Sequence, residues 1–224
     1  MNIPMLSKEN NFEYLTAGIV LLLFIATLVE QFPGIPGKHL VQAFSIITIV
    51  IGVYGFKSSA AWFRKPAGFI VATLALVAIG VMLERLQLYY LHLLLLLGFY
   101  LWAIWLAAKE VFFSGVVDMN RIIGAICVYL LMGLIWTTLY LFIAQAVPGA
   151  FNGLEQRAWY ENFSEAAYYS FVTITTLGYG DITPVAPLAR FLAYMEAVIG
   201  VFYMAILVAS LIGLGINKAQ KRNQ

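Results

Sequence analysis

Long apolar stretches, separated by short polar or glycine- and proline-rich connections, dominate the pattern of hydrophobic and polar positions along this chain. Six of them approach or exceed the length of about 20 apolar residues that a helix needs to cross a bilayer. They cover residues 14–29, 40–56, 67–83, 86–108, 122–146 and 188–216, and only the last contains charged residues, Arg190 and Glu196. The pattern predicts an all-α integral membrane protein with six transmembrane helices.

A shorter segment lies between the fifth and sixth apolar stretches. Ser164 is a candidate N-cap for a helix over 164–175, which is too short to cross a bilayer. The sequence Thr173–Pro184, T-I-T-T-L-G-Y-G-D-I-T-P, covers the end of this helix and the loop that follows it. Irregular backbone at membrane depth is tolerated only where it is buried in protein or lines a water-filled cavity. We therefore expect a re-entrant helix and loop that line a pore.

Composition agrees with a membrane protein. The 224 residues are 62% hydrophobic and only 11% charged, whereas a soluble domain is about 25% charged. The net charge of +2 is too small to suggest a nucleic-acid partner. The single cysteine, Cys127, excludes an intrachain disulfide.

The loop contains two glycines at alternate positions, Gly178 and Gly180, which allow an unusual backbone conformation. Glycine adopts positive φ at little cost, so alternate glycines suit a strand whose successive carbonyls all point to one side. Four such strands around an axis can replace the water shell of a potassium ion. The other interpretation is an ordinary glycine turn after a buried strand, but the position of the loop between two membrane spans favours the ion site.

The run Thr176-Leu177-Gly178-Tyr179-Gly180 resembles the selectivity filter of potassium channels, usually T-V-G-Y-G, with Leu177 in place of valine. Residues 164–215 as a whole resemble the pore of small prokaryotic six-span tetrameric potassium channels. For the first four spans, the resemblance rests only on their number and length. It implies a homotetramer in which K⁺ is bound by the carbonyl oxygens of residues 176 to 179 and by the Thr176 hydroxyl.

The resemblance also implies side chains that support the filter. The candidates are Thr175, Tyr168, Tyr169, Asp181 and Glu196. We expect the Tyr179 ring to point away from the axis and its hydroxyl to hydrogen-bond with one of the two tyrosines, with Tyr169 favoured over Tyr168; core packing without that bond is the alternative. Many related channels pair the equivalent of Asp181 with a glutamate in the pore helix, but Val172 occupies that position here.

The last span contains further candidates. Glu196 lies inside a membrane span, which suggests a functional role, either behind the filter with hydroxyl partners or near the outer interface with Arg190. Gly200 is a candidate hinge or a close-packing site. The candidates for the gate and hinge are Gly200, Leu207, Ser210 and Leu211.

The chain is expected to comprise a cytoplasmic N-terminus (1–13), a four-helix bundle (14–113), a pore domain (114–216) and a basic cytoplasmic tail (217–224). Within the pore domain we expect an outer helix at 119–146, a turret at 147–163, a pore helix at 164–175, a filter at 176–180 and an inner helix at 188–216. Because Lys and Arg mark cytoplasmic loops, their distribution predicts that both termini are cytoplasmic and that Asp181 is outside, in a multi-pass protein of the cell membrane.

The four-helix bundle occupies the place of a voltage sensor. Its last span, 86–108, contains no Arg, Lys, Asp or Glu, although steep voltage gating needs several charges, each worth about 2.3 kcal/mol per 100 mV. We expect a scaffold without a sensor, and the short polar sequence after Gly215 predicts no C-terminal ligand-binding domain.

These features favour a potassium-selective channel that is not steeply voltage-gated. The alternative is the membrane subunit of a potassium transporter, a class that usually carries four loops with degenerate filters in one chain. A membrane enzyme is disfavoured because His39 and His92 are isolated and no nucleophile–base pair is recognisable. No cofactor is expected, only permeant K⁺.

Overall fold

The computed structural model describes residues 11–32, 40–41, 45, 47–48, 86–113 and 119–222. The third predicted span and most of the second lie outside these residues, as do several of the basic residues used to predict the orientation. The regular secondary structure of the described part is helical apart from one pair of two-residue strands. Its elements are α1 (Asn11–Gln31), α2 (Leu86–Phe113), α3 (Met119–Ala146), β1 (Phe151–Asn152), α4 (Phe163–Ile174), β2 (Thr183–Pro184) and α5 (Pro187–Arg222).

Four of these helices are long and apolar enough to cross a membrane. The qualifying segments are Phe12–Gln31, Tyr90–Val111, Ile122–Ala146 and Pro187–Ser210. They coincide with the first, fourth, fifth and sixth apolar stretches. The described part of the chain is thus a multi-pass helical assembly, with the short helix α4 between the last two spans.

Helix α3 lies at the centre and contacts α1, α2, α4 and α5. The Tyr90 hydroxyl, at the start of α2, donates to the carbonyl of Gln145 at the end of α3 (2.8 Å). At the other end of α3, a Cβ on Gly124 would lie only 2.8 Å from the Val111 side chain and 2.9 Å from that of Phe12. Because lipid removes most of the hydrophobic drive between helices, such close packing is what holds them together.

A short antiparallel pair ties the chain before α4 to the chain after the glycine loop. Phe151 of β1 lies opposite Pro184 of β2. The Ala150 carbonyl accepts hydrogen bonds from the N–H groups of Val185 (2.8 Å) and Ala186 (3.1 Å). Both ends of the segment that contains α4 and the loop are therefore held together within the same chain.

Helix α5 buries little of its surface. Phe202 is 64% exposed and Tyr194 is 55% exposed. Bulky apolar side chains extend this surface along the helix, and they include Leu188, Phe191, Val198, Val201, Met204 and Ile206. The long apolar surface of α5 thus has no partner within its own chain among the described residues.

Candidate functional site

The short helix α4 begins one residue earlier than predicted. Its N-cap is Asn162 and its first residue is Phe163, so the expectation that Ser164 caps the helix is wrong. The Asn162 side chain does not cap the helix either. Its Oδ1 accepts no hydrogen bond from the described residues, and its amide nitrogen donates to the carbonyl of Glu155 in the turret (2.7 Å). Asn162 therefore fixes the start of α4 to the turret.

The end of α4 is closed by two backbone hydrogen bonds. The N–H of Thr176 donates to the Thr173 carbonyl, and the N–H of Leu177 donates to the Val172 carbonyl, both at 2.9 Å. This is the Schellman arrangement, whose left-handed residue is usually glycine, but here it is Thr176 with φ of 60°. A non-glycine residue in that region costs about 1–2 kcal/mol, so the helix end holds Thr176 in a conformation that it would rarely adopt alone.

Positive φ recurs at every second residue of the loop. Thr176, Gly178 and Gly180 have φ of 60°, 56° and 82°, whereas Leu177 and Tyr179 between them do not have positive φ. The glycines have the backbone conformation that the sequence led us to expect, and Thr176 is an addition that sequence reasoning missed. Alternation of positive and negative φ is what a strand needs to turn successive peptide groups to one side.

The loop is exposed. Leu177 is 55% exposed and Tyr179 is 68% exposed, and a Cβ added to Gly178 or Gly180 would meet no atom within 4 Å. Among the described residues, nothing from the same chain covers this surface.

The predicted hydrogen bond between Tyr179 and Tyr169 is absent, so that expectation is wrong for the single chain. Tyr169 is buried, and its ring lies 4.8 Å from that of Tyr140 and 5.6 Å from that of Phe151. Tyr169 thus packs on the side of α4 that faces α3, out of reach of Tyr179.

The other tyrosine of the pair does reach the loop. The Tyr168 hydroxyl donates to Oδ2 of Asp181 at 2.6 Å, and Oδ1 of the same carboxylate accepts the N–H of Ile182 at 3.0 Å. The bond from Tyr168 holds the pKa of Asp181 below its usual value, and it raises the pKa of Tyr168 to about 12. Asp181 is therefore an anion at neutral pH, with Tyr168 as the donor that ties it to α4.

Glu196 lies behind α4 and is fully buried. Its Oε2 accepts a hydrogen bond from the Tyr140 hydroxyl of α3, and its Oε1 lies 2.6 Å from the Ser170 hydroxyl of α4. The alternative pairing with Arg190 is not formed, since Arg190 donates instead to the Pro184 carbonyl (3.2 Å). Sequence reasoning did not identify Tyr140. A signal was present, because Gly133, Thr137 and Tyr140 follow one another at i, i+4 and i+7 and therefore lie on one face of α3.

Gly200 is the point of closest approach between α5 and the end of α4. A Cβ at this position would lie 2.7 Å from Cγ1 of Ile174 and closer still to the Ile174 carbonyl oxygen. The Tyr129 hydroxyl of α3 lies 3.3 Å from the same carbonyl. Since α5 is helical without interruption through Gly200, the structure supports close packing at this residue.

Thr175 and the gate candidates make few contacts. The Thr175 hydroxyl donates back to the Phe171 carbonyl of α4 at 2.6 Å. Leu207 is half-buried, Ser210 is exposed, and the side chain of Leu211 lies outside the described set. Leu207 and Ser210 are three residues apart and so lie on one face of α5.

Trp159 connects the turret to the helices before the pore. It is fully buried, and its ring stacks on His92 of α2 at 4.8 Å. The turret thus packs against α2. The spacing of Trp159 along the chain carries no signal for this contact.

One comparison with known proteins bears on the site. The model of a family described as "Ion channel" matches residues 124–215. The matched region begins in α3 and ends in α5, so it includes α4, the glycine loop and β2, whereas α1 and α2 lie outside it. The match indicates an ion channel built from the elements that form the candidate site.

Proposed function

We propose that this protein is a potassium-selective channel in which four copies of the chain form one pore. K⁺ moves passively down its electrochemical gradient, and the carbonyl oxygens of Thr176, Leu177, Gly178 and Tyr179 replace its hydration shell. The Thr176 hydroxyl adds the innermost ligand, and Gly180 ends the strand. The observation that carries the proposal is the alternation of positive φ at residues 176, 178 and 180.

The geometry of one strand requires more than one copy, and four is the number that the resemblance to potassium channels implies. A single strand presents ligands from one side only, so several strands must surround an axis to enclose the ion. The exposed loop and the exposed face of α5 supply the surface that such an assembly buries. Tyr179, which is 68% exposed in the single chain, would pack against the neighbouring copy rather than against its own α4.

The pore is not steeply voltage-gated in this proposal. The first basic residue of α2 is Lys109, near its end, with its ammonium group 5.5 Å from the Trp105 ring. Lys109 of α2 and Arg121 of α3 lie at the same end of the described helices as the start of α1. Arg157 lies in the turret, at the opposite end. We assign the first end to the cytoplasm and the turret to the outside of the cell membrane.

Selectivity is tested with purified protein reconstituted in planar bilayers. Under opposed gradients of KCl and NaCl, we expect a reversal potential close to the equilibrium potential of K⁺. Gly178→Ala is the variant for comparison. Its methyl group strains the strand at φ of 56°, while the composition of the membrane spans stays the same. A wild-type conductance that does not distinguish K⁺ from Na⁺ would reject the proposal.

Assembly is tested separately from conduction. Mass measurement of the protein in detergent or nanodiscs should give four chains per particle, and mild crosslinking should give a ladder that ends at the tetramer. A monomer that is stable under conditions where flux is observed would reject the shared pore.

A further inference from the structure

Behind α4, one polar cluster joins three helices in an otherwise apolar interior. Its members are Tyr140 of α3, Ser170 of α4, Glu196 of α5 and the main-chain carbonyl of Gly133 in α3, and we call them the clamp. The three side chains are fully buried. Both hydrogen-bond partners of Glu196, Tyr140 and Ser170, are uncharged hydroxyl groups, and Glu196 forms no ion pair with the described residues.

The clamp has three oxygen–oxygen contacts and needs one proton for each. The Tyr140 hydroxyl lies against Oε2 of Glu196. Ser170 lies 2.6 Å from Oε1 of Glu196 and 2.8 Å from the Gly133 carbonyl. Oxygen atoms at these distances repel one another unless a proton lies between them.

Only two of the three protons come from hydroxyl groups. Tyr140 supplies one and Ser170 supplies one, because a serine hydroxyl has a single hydrogen. The Gly133 carbonyl has none to give, and the Thr137 hydroxyl is already directed at that carbonyl (2.7 Å). The third proton must therefore be on Oε1 of Glu196, which donates to Ser170 while Ser170 donates to Gly133.

We propose that Glu196 is a neutral carboxylic acid whose proton completes the clamp and thereby positions α4, and with it the start of the filter, between α3 and α5. Losing that proton leaves Ser170 with two acceptors and one hydrogen, so one link between α4 and its neighbours breaks. The ionised acid would also be a buried charge without a partner. Glu196 is thus a positioning residue for the pore, and its protonation state is coupled to conduction.

Within the described part of the chain, the titratable groups that face Glu196 are all tyrosines. Tyr129 and Tyr140 face it from α3, and Tyr169 faces it from α4; β2, which also packs on α5, has no titratable side chain. Because these groups remain in a Glu196→Gln variant, comparing the variant with the wild type isolates the contribution of Glu196. Glutamine has one acceptor oxygen for Tyr140 and one N–H for Ser170, so it reproduces the neutral acid.

The first experiment measures the proton directly and does not depend on conduction. The infrared difference spectrum of wild-type minus Glu196→Gln protein in lipid vesicles at neutral pH should contain the carbonyl stretch of a protonated carboxylic acid. If the Gln variant does not fold, wild-type minus Tyr140→Phe provides the same test, because loss of the Tyr140 donor shifts that band. A difference spectrum with only carboxylate bands would overturn the inference.

The second experiment rests on the proposed potassium channel function and measures K⁺ flux from vesicles as the pH is raised. Wild-type flux should fall by about tenfold between neutral and strongly alkaline pH, which corresponds to about 1.4 kcal/mol, the order of one lost buried hydrogen bond. Glu196→Gln should keep its neutral-pH flux over the same range. Identical profiles for the two proteins, or an inactive but folded Gln variant, would overturn the inference.

Two serine variants complete the set. Ser170→Ala removes the middle of the clamp and should reduce flux at neutral pH and flatten the pH profile. Ser164→Ala changes the same residue type in the first turn of α4, outside the clamp, and should behave like the wild type. If the protonated-acid band is present but neither the wild type nor any variant conducts K⁺, the channel proposal is rejected while the protonated clamp is supported.

Discussion

Replacement of Gly200 by alanine tests whether the contact between α5 and α4 controls the pore. The added methyl group would lie 2.7 Å from Cγ1 of Ile174 and closer still to its carbonyl oxygen. A side chain can rotate away from such a clash, but the carbonyl belongs to the main chain at the end of α4, two residues before Thr176. The methyl group can therefore be accommodated only if α5 moves away from α4 or the end of α4 shifts.

Two effects of opposite sign determine the outcome. Alanine is favoured over glycine inside a helix by about 1 kcal/mol, whereas overpacking a close contact costs about 1–3 kcal/mol. Because backbone is one of the clashing partners, we expect the cost to prevail, with a net destabilisation of up to about 2 kcal/mol per chain. The corresponding shift is a few degrees, since 1 kcal/mol moves the melting temperature of a chain of this size by about 2–4 °C.

The assay pairs thermal unfolding in detergent with K⁺ flux from vesicles. Gly200→Ala should melt below the wild type and conduct less, and Gly200→Ser should be worse on both measures. Ala205→Ser is the matched control, since it adds one heavy atom to an exposed position of the same helix and should melt like the wild type. If Gly200→Ala keeps the wild-type melting temperature and flux, close packing at this residue is not required. Altered gating at unchanged stability would favour a hinge.

Three further outcomes are expected. Tyr168→Phe and Asp181→Ala each remove the 2.6 Å bond at the outer end of the loop, so the double variant should impair K⁺ selectivity in bilayer recordings no more than the worse single variant; additive losses would show that the two residues act independently. Thr176→Gly should retain the backbone at φ of 60° without strain yet weaken K⁺ binding by removing the hydroxyl ligand, as measured by calorimetry with K⁺, and unchanged affinity would contradict that role. Trp159→Ala empties a fully buried site and should lower stability by about 3–5 kcal/mol in denaturant titration, whereas a change below 1 kcal/mol would mean that the docked turret is dispensable.

Much of the architecture could be predicted because membrane helices are signalled by length and apolarity alone. The apolar stretches at 122–146 and 86–108 coincide with parts of α3 and α2, and α4 and the glycine loop lie where a short helix followed by glycines at alternate positions was expected. The conformations of Gly178 and Gly180 were predictable for a local reason. No other residue type adopts positive φ so readily.

The errors concern contacts between elements. Ser164 has the right chemistry for an N-cap, but the turret makes Asn162 the boundary residue. Periodicity could not reveal that Tyr169 faces α3 while Tyr168 faces Asp181, because adjacent residues of a helix point in different directions and the neighbours that choose between them are distant in sequence. The positive φ of Thr176 was hidden for a similar reason, since it is imposed by the hydrogen bonds at the end of α4.

The pairing of β1 with β2 has a consequence for how the oligomer is built. Together with the closed end of α4 and the bond from Tyr168, it shapes the loop before any second copy arrives. In the proposed tetramer, assembly would therefore join four loops that are already shaped within their own chains, and the pore between them would form without a separate ordering step.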